Sequence, residues 1–435
     1  MLSDLDDKIA GPFELTDAEV LRLAEWMDGG GGVFAVGDHS ILGASLCHRI
    51  PRVRTMRRWT HADGVPENYG PRRNQTVKPG PDAYPEEDLV LQPVELAYVQ
   101  TVSHLPFGVM HRPHPLMCTK YGPIQHFPDH LHEGEVVPED EVQLDRALGI
   151  PGYDKPEYPS AVPAFLPFAS TDVGTISPRP RPQVIAYGRT TNPLVVGGRP
   201  EEGSDALYRL VSLGFKRFGL VSVYDGDRAN VGRVVCDSTW HHWFSYNLDG
   251  IARAGNTDFA KMTSYYRNVA LWLASPEKRR EITLSAVWTM LMSPMTFAGR
   301  RTAWEMGERA TELLNEWVSP CWVNDFVAAQ FDASSMYLAA RVEDSPNQGP
   351  AWGVLSEGVV HRAVLGSLCV TLFPLASEVQ RLQLLHNDVK VDKQDIETAA
   401  ARARTEAPRI LKECVASAAD SYTALGKRWA AAMKN

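Results

Sequence analysis

Cysteine is scarce in this chain: six in 435 residues, at positions 47, 118, 236, 321, 369 and 414, with no CxxC pair and no dense framework. That spacing excludes a disulfide-stapled secreted scaffold and fits a reducing, cytoplasmic interior. Long hydrophobic runs are missing too. The longest nearly apolar stretch, residues 363–376, is too short to span a bilayer, and the acidic start MLSDLDDKIAG lacks the basic and apolar parts of a signal peptide, so no membrane role is expected. A basic excess is also absent, and the formal charge of -9 argues against a general nucleic-acid binder. There is no internal repeat and no low-complexity segment. With 44% hydrophobic and 22% charged residues, the chain holds two or three domains' worth of folded core.

What is present begins at residues 26–47, WMDGGGGVFAVGDHSILGASLC, where a glycine run, a short apolar strand and a polar tetrad follow one another. The order is that of a nucleotide- or nucleophile-bearing corner of an α/β domain. Residues 33–36 form a continuous apolar run of the kind buried on both faces of a parallel sheet, and Gly37-Asp38-His39-Ser40 then leads into an apolar-periodic segment. Asp38 and His39 are thus expected at the carboxyl end of a strand, where open α/β sheets keep their ligands.

Two further knots share that chemistry. A strand-like run at 233–236 ends in Asp237-Ser238-Thr239-Trp240-His241-His242, and Asp129-His130-Leu131-His132-Glu133-Gly134-Glu135 lies between the two strand ends. Of the 13 histidines, 11 fall between His39 and His242, which favours one convergent site over three surface accidents. Imidazole and carboxylate bind borderline divalent metals and also do acid/base work near neutral pH. The expected metal ligands are Asp38, His130, His132, Asp237 and His241, for zinc, iron or manganese. The expected catalytic groups are His39, Glu133 and His242. Arg189, after a strand in AYGRTT, and Arg228, in YDGDR, are candidates for orienting an anionic substrate, and Trp240 for stacking on it. The bland alternatives are helix caps, a satisfied buried histidine, arginines paired with Asp225 or Asp227, and aromatics that only pack the sheet. Arg49, Arg52, Arg54, Arg57 and Arg58 make a dense basic run that would hold a phosphate or carboxylate, or pair with the acidic excess.

Along the chain, residues 15–27 read as an amphipathic helix capped near Thr16 or Asp17 and ended by the glycines. Between 51 and 200 lie 23 of the 31 prolines, which excludes long helices there and predicts a loop-rich insertion or cap. VELAYVQTV, within 93–102, and QVIAYGR, 183–189, look like strands. FGLVSVYDG, 218–226, and GRVVCDS, 232–238, look like a pair joined by a turn at Asp225-Gly226-Asp227. After residue 256 the pattern turns helical, at 258–273, 276–291, 303–318, 354–372 and 393–434. The expected division is an α/β domain over 1–255 and a helical region over 256–435.

A strand ending in GDH, a later DHxHEGE knot and a late DSTWHH strand end resemble the class I glutamine-amidotransferase-like superfamily, particularly its ThuA-like (trehalose-utilisation) branch and related bacterial proteins. The resemblance covers roughly residues 15–270. It implies a flavodoxin-like, doubly wound, mostly parallel sheet. In that superfamily the first corner carries a cysteine nucleophile in a GxCxG elbow; here His39 stands in its place, and Cys47, two helical turns on, is expected in the core. The usual thiol route to glutamine hydrolysis is therefore not expected. Such proteins open with a strand and helix ahead of this corner, so the start reads as truncated, or the sheet as permuted or completed by a partner.

The leading expectation is a metal-dependent hydrolase or lyase, with Glu133 as base on a metal-bound water. A metal-free His/Glu enzyme acting on a sugar-related molecule is a second, sugar entering only through the resemblance. A third is an inactive amidotransferase-like scaffold whose helical region binds a protein partner or a second copy of the chain.

Overall fold

The computed structural model describes residues 14–37, 43–60, 91–102, 109–128, 136–161, 179–189, 194–196, 209–211, 217–239, 243, 245–255, 257–293, 296–299, 302–318, 322–323, 326 and 357–385, with short helical pieces between 394 and 427. It is a mixed α/β protein of two compact units, Met1–Thr101 with Val109–Ser275, and Val102–Gly108 with Pro276–Asn435.

The first unit opens with α1 (Asp17–Asp28). Thr16 caps it, its hydroxyl accepting from the Glu19 amide while the Glu19 carboxylate accepts from the Thr16 amide at 2.8 Å, so two amides that a helix start leaves unpaired are satisfied. Val20, Ala24 and Met27 recur at helical spacing and are buried. The glycine run then serves packing. Gly30 adopts φ 95°, and a Cβ on Gly232 would lie 1.8 Å from the Gly31 carbonyl oxygen, so two backbones cross where no side chain fits.

Strand β1 (Val33–Val36) follows, then the single-turn helices α2 (Ala44–Cys47) and α3 (Val53–Met56). The proline-rich region supplies only short strands: β2 (Leu91–Pro93), β3 (Glu95–Leu96), β4 (Tyr98–Val102), β5 (Val109–Pro113), β6 (Cys118–Thr119), β7 (Gly122–Pro123) and β8 (His126–Pro128). The expected strand within 93–102 is thus broken into pieces that join different sheets. Next come β9 (Gln183–Arg189), β10 (Leu194–Val196), β11 (Arg209–Val211), β12 (Arg217–Tyr224) and β13 (Val234–Asp237).

The central sheet has the order β1-β13-β12-β9-β3. β1 and β13 are parallel, from Val33 opposite Val234 to Val36 opposite Asp237. The other three pairings, β12 with β13, β9 with β12 and β3 with β9, are antiparallel. The sheet is mixed, and the expected mostly parallel order does not appear in these pairings. The physical reason is the tight turn at Gly226–Ala229, which makes β12 and β13 a hairpin as their spacing predicts, and a hairpin is antiparallel.

Both faces of β13 are covered. Val234 and Cys236 join a core with Met27, Met56, Trp59, Tyr158 and Tyr224, while Val235 and Asp237, alternating with them, point to the opposite face. On that face lie α4 (Ser245–Ala254) and α5 (Thr257–Leu273), with Met262, Tyr265, Val269 and Trp272 buried along α5. Each large apolar side chain so buried contributes about 1.5–3 kcal/mol relative to exposure. The sequence division at 255/256 moves to 275/276, because α5 docks into the first unit. The buried Asn268 side chain donates to the carbonyls of Leu116 at 3.1 Å and Cys118 at 2.9 Å.

The second unit is helical: α6 (Pro276–Leu291), α7 (Ala303–Trp317) and α8 (Glu357–Leu385). α7 and α8 cross at a glycine pair, where a Cβ on Gly307 would lie 1.8 Å from the Arg362 carbonyl oxygen and one on Gly366 1.9 Å from that of Ala303. α8 is longer than its apolar run suggests, since it continues through Pro374. Its stretch His361–Leu382 reaches the length and hydropathy of a bilayer-spanning helix, and 56% of that window is buried inside the protein, as in a core helix.

Candidate functional site

β1 and β13 end side by side. The Gly37 amide donates to the Asp237 carbonyl at 3.0 Å, and the Ser238 amide to that of Leu220 at 2.9 Å. From these two ends the chain continues into Asp38-His39-Ser40 and Trp240-His241-His242. The flank of the third knot meets the same place. β8 stops at Pro128, and its Phe127 ring packs edge-on against Tyr265, centroids 5.6 Å apart; the Tyr265 hydroxyl donates to Asp237 Oδ2 at 2.7 Å. The expected residues Asp38, His39, His130, His132, Glu133, Trp240, His241 and His242 themselves lie outside the described residues.

Asp237, the one expected metal ligand within them, is fully buried. Its Oδ1 accepts from the Thr239 amide at 2.7 Å and from the Thr239 hydroxyl, and its Oδ2 from Tyr265. Both oxygens are committed to closing the strand end and tying α5 to it. This carboxylate does not suit a divalent ion, which would have to displace these donors. No group of three or more His, Cys, Asp or Glu with ligand geometry occurs among the described residues. Burial pushes the Tyr265 phenol well above its ordinary range, and the Asp237 charge and hydrogen bond push the same way, so it remains a donor.

The basic run resolves into separate partners. Arg49 pairs with Asp17, Arg52 with Asp28 at 3.2 Å, Arg54 with Glu157, and Arg58 with Glu141 at 2.7 Å. Arg57 differs from its neighbours. It is 1% exposed, its Nε donates to Ser238 Oγ at 2.9 Å, and its guanidinium lies 4.3 Å from the Trp59 ring centroid. A Cβ on Gly37 would lie 2.7 Å from Arg57 Cζ. Arg57 therefore fills the space between the ends of β1 and β13, and it belongs to the wall of an open cavity of about 340 Å³. The sequence marks Arg57 only as one of five.

Arg189 lies at the same edge of the sheet, three strands across from β1, and is 65% exposed. Its Nε donates to Glu95 Oε2 at 2.7 Å, and Arg217 donates to Oε1 at 2.9 Å. Arg228 is in the β12–β13 turn, at the opposite end of β13 from Asp237, so the two candidate substrate arginines are not brought together. Asp225 and Asp227 pair with Arg233, at 3.0 and 3.1 Å, a residue the motif reading did not single out. Trp243 packs on Phe34 and Tyr266, with centroids 4.9 and 4.5 Å apart, which is a packing role.

Cys47 is buried as expected, and burial pushes its thiol up to about 11 against the opposing charge of Arg57. A thiol so held carries almost no thiolate at neutral pH and is no nucleophile.

The chain matches no protein-family model, and no curated protein or solved structure is significantly similar to it.

Proposed function

We propose that the chain is an enzyme of hydrolase or lyase type, acting on a small molecule at the carboxyl edge of β1 and β13. One observation carries the reading: the residues flanking all three Asp/His knots are linked, Gly37 to Asp237 by a backbone hydrogen bond and Phe127 to Asp237 through Tyr265. His39, Glu133 and His242 then act as acid and base from segments that leave this edge. Asp237 holds the strand end and takes no direct part. Because its oxygens do not fit a metal, no step is routed through one.

The relation to the glutamine-amidotransferase-like superfamily is weakened on this reading. A doubly wound sheet has parallel neighbours throughout its centre, whereas β12 and β9 run antiparallel here. The helical unit supplies a second element of the proposal. Val370 and Phe373, one turn apart on α8, are 37% and 44% exposed, which suits association with a partner protein or a second copy.

The test is a turnover screen of the purified protein with chromogenic esters, phosphate esters and glycosides, repeated on His39→Ala and His242→Ala. The expected result is release from one class, lowered about a hundredfold or more in the variants with circular dichroism unchanged. Equal rates in wild type and both variants would remove the site from this edge.

A further inference from the structure

The cavity beside Arg57 is lined by Arg54, Arg57, Arg58 and Arg146 together with Glu141 and Gln143. Counting Glu157 behind Arg54, four guanidinium groups face two carboxylates in and behind this wall. We infer that this cavity binds the dianionic phosphate group of a small phosphate monoester, with Glu141 occupying Arg58 until the ligand displaces it. The inference deepens the enzyme reading and rests on its placement of the site, since Arg57 joins the cavity wall to the ends of β1 and β13.

The geometry separates fixed from exchangeable groups. Arg54 is immobilised: Glu157, 1% exposed at its side chain, accepts from Arg54 Nε at 2.9 Å, and the Ala147 carbonyl accepts from Nη2 at 2.7 Å. Arg57 is fixed by Ser238 and Trp59. These two are preorganised, so little side-chain entropy is lost when an anion arrives. At the mouth, by contrast, Arg58 and Glu141 are 30% and 53% exposed and form an ion pair of the surface kind, which is weak and readily exchanged. Arg146 is exposed and makes no ion pair among the described residues.

Charge and size select the ligand class. A monocarboxylate is satisfied by one bidentate arginine, which leaves the remaining wall uncompensated, whereas a phosphate dianion presents three oxygens to several guanidinium groups. The cavity is at the small end of the range of ligand clefts, about 300–1,000 Å³. It holds a phosphate with a few carbon atoms attached, not a nucleoside.

The sign of one substitution is diagnostic. Glu141→Gln removes the competing anion and should tighten phosphate binding, while Arg58→Gln with Arg146→Gln should weaken it; both residues are exposed enough for the folds to survive. Calorimetric titration of the full chain with inorganic phosphate and with glycerol phosphate is expected to show binding that strengthens about threefold or more in Glu141→Gln and falls about tenfold or more in the double variant. His39→Ala is expected to bind phosphate as the wild type does, which separates this inference from the catalytic reading. If neither phosphate binds the wild type at millimolar concentration, if succinate binds more tightly than both, or if Glu141→Gln weakens binding, the inference falls.

Discussion

The phenol of Tyr265 donates to Asp237 Oδ2 at 2.7 Å, and both side chains are fully buried. One bond thereby ties α5 to the end of β13. Removing only the hydroxyl, as in Tyr265→Phe, leaves a buried carboxylate oxygen short of a donor at unchanged shape. The expected loss is about 1.5–3 kcal/mol, the range for hydrogen bonds to charged groups. Urea denaturation should show a lowered midpoint with an unchanged slope. A shift equivalent to less than about 0.5 kcal/mol would show that this oxygen is served by other donors.

How much of this was legible in the sequence depends on the kind of pattern. Periodicity located β1, β9, the β12–β13 hairpin and α6 well, because burial on one or both faces leaves its trace in local residue order. Partner choice leaves no such trace. Nothing in QVIAYGR shows that β9 runs antiparallel to β12, and the resemblance to a doubly wound family filled that gap with parallel neighbours. The same limit applies to α5: its helical spacing is plain, but its membership of the first unit rests on Asn268 reaching the carbonyls of Leu116 and Cys118, over 150 residues away. Arg57 and Arg58 are adjacent and alike in sequence, yet one is sealed between strand ends and the other is at a cavity mouth. Only tertiary contacts separate them.

Glu95 gives the fold a pH signature. Burial pushes its carboxyl up, but hydrogen bonds from Arg189 and Arg217 and the charges of both outweigh this and hold it below the ordinary carboxylate range. Because the folded-state value is depressed, the stabilisation is present above the unfolded carboxylate range and is lost as pH falls through the folded value. Glu95→Gln should lower the melting temperature relative to wild type at pH 7, and the gap should close as pH falls below about 4. A gap independent of pH would mean that the substitution acts through packing, for instance through Arg217 stacked 3.3 Å from the Tyr187 ring centroid, and not through charge.

Gly37 tests whether the strand ends and the arginine cavity are one structure. A Cβ there would lie 2.7 Å from both Arg57 Cζ and Trp59 Cζ3, and Trp59 is fully buried and has no room to retreat. Gly37→Ala should therefore cost about 1–3 kcal/mol by overpacking. It should also push Arg57 off Ser238 and so weaken phosphate binding. Gly188→Ala is the matched control: its Cβ would lie 2.7 Å from the Phe218 ring, in the same sheet but outside the cavity wall. Measured together by denaturation and by phosphate titration, both variants should lose stability and only Gly37→Ala should lose affinity. Equal phosphate binding in the two would uncouple the cavity from the ends of β1 and β13, because the displaced guanidinium is the group that joins them.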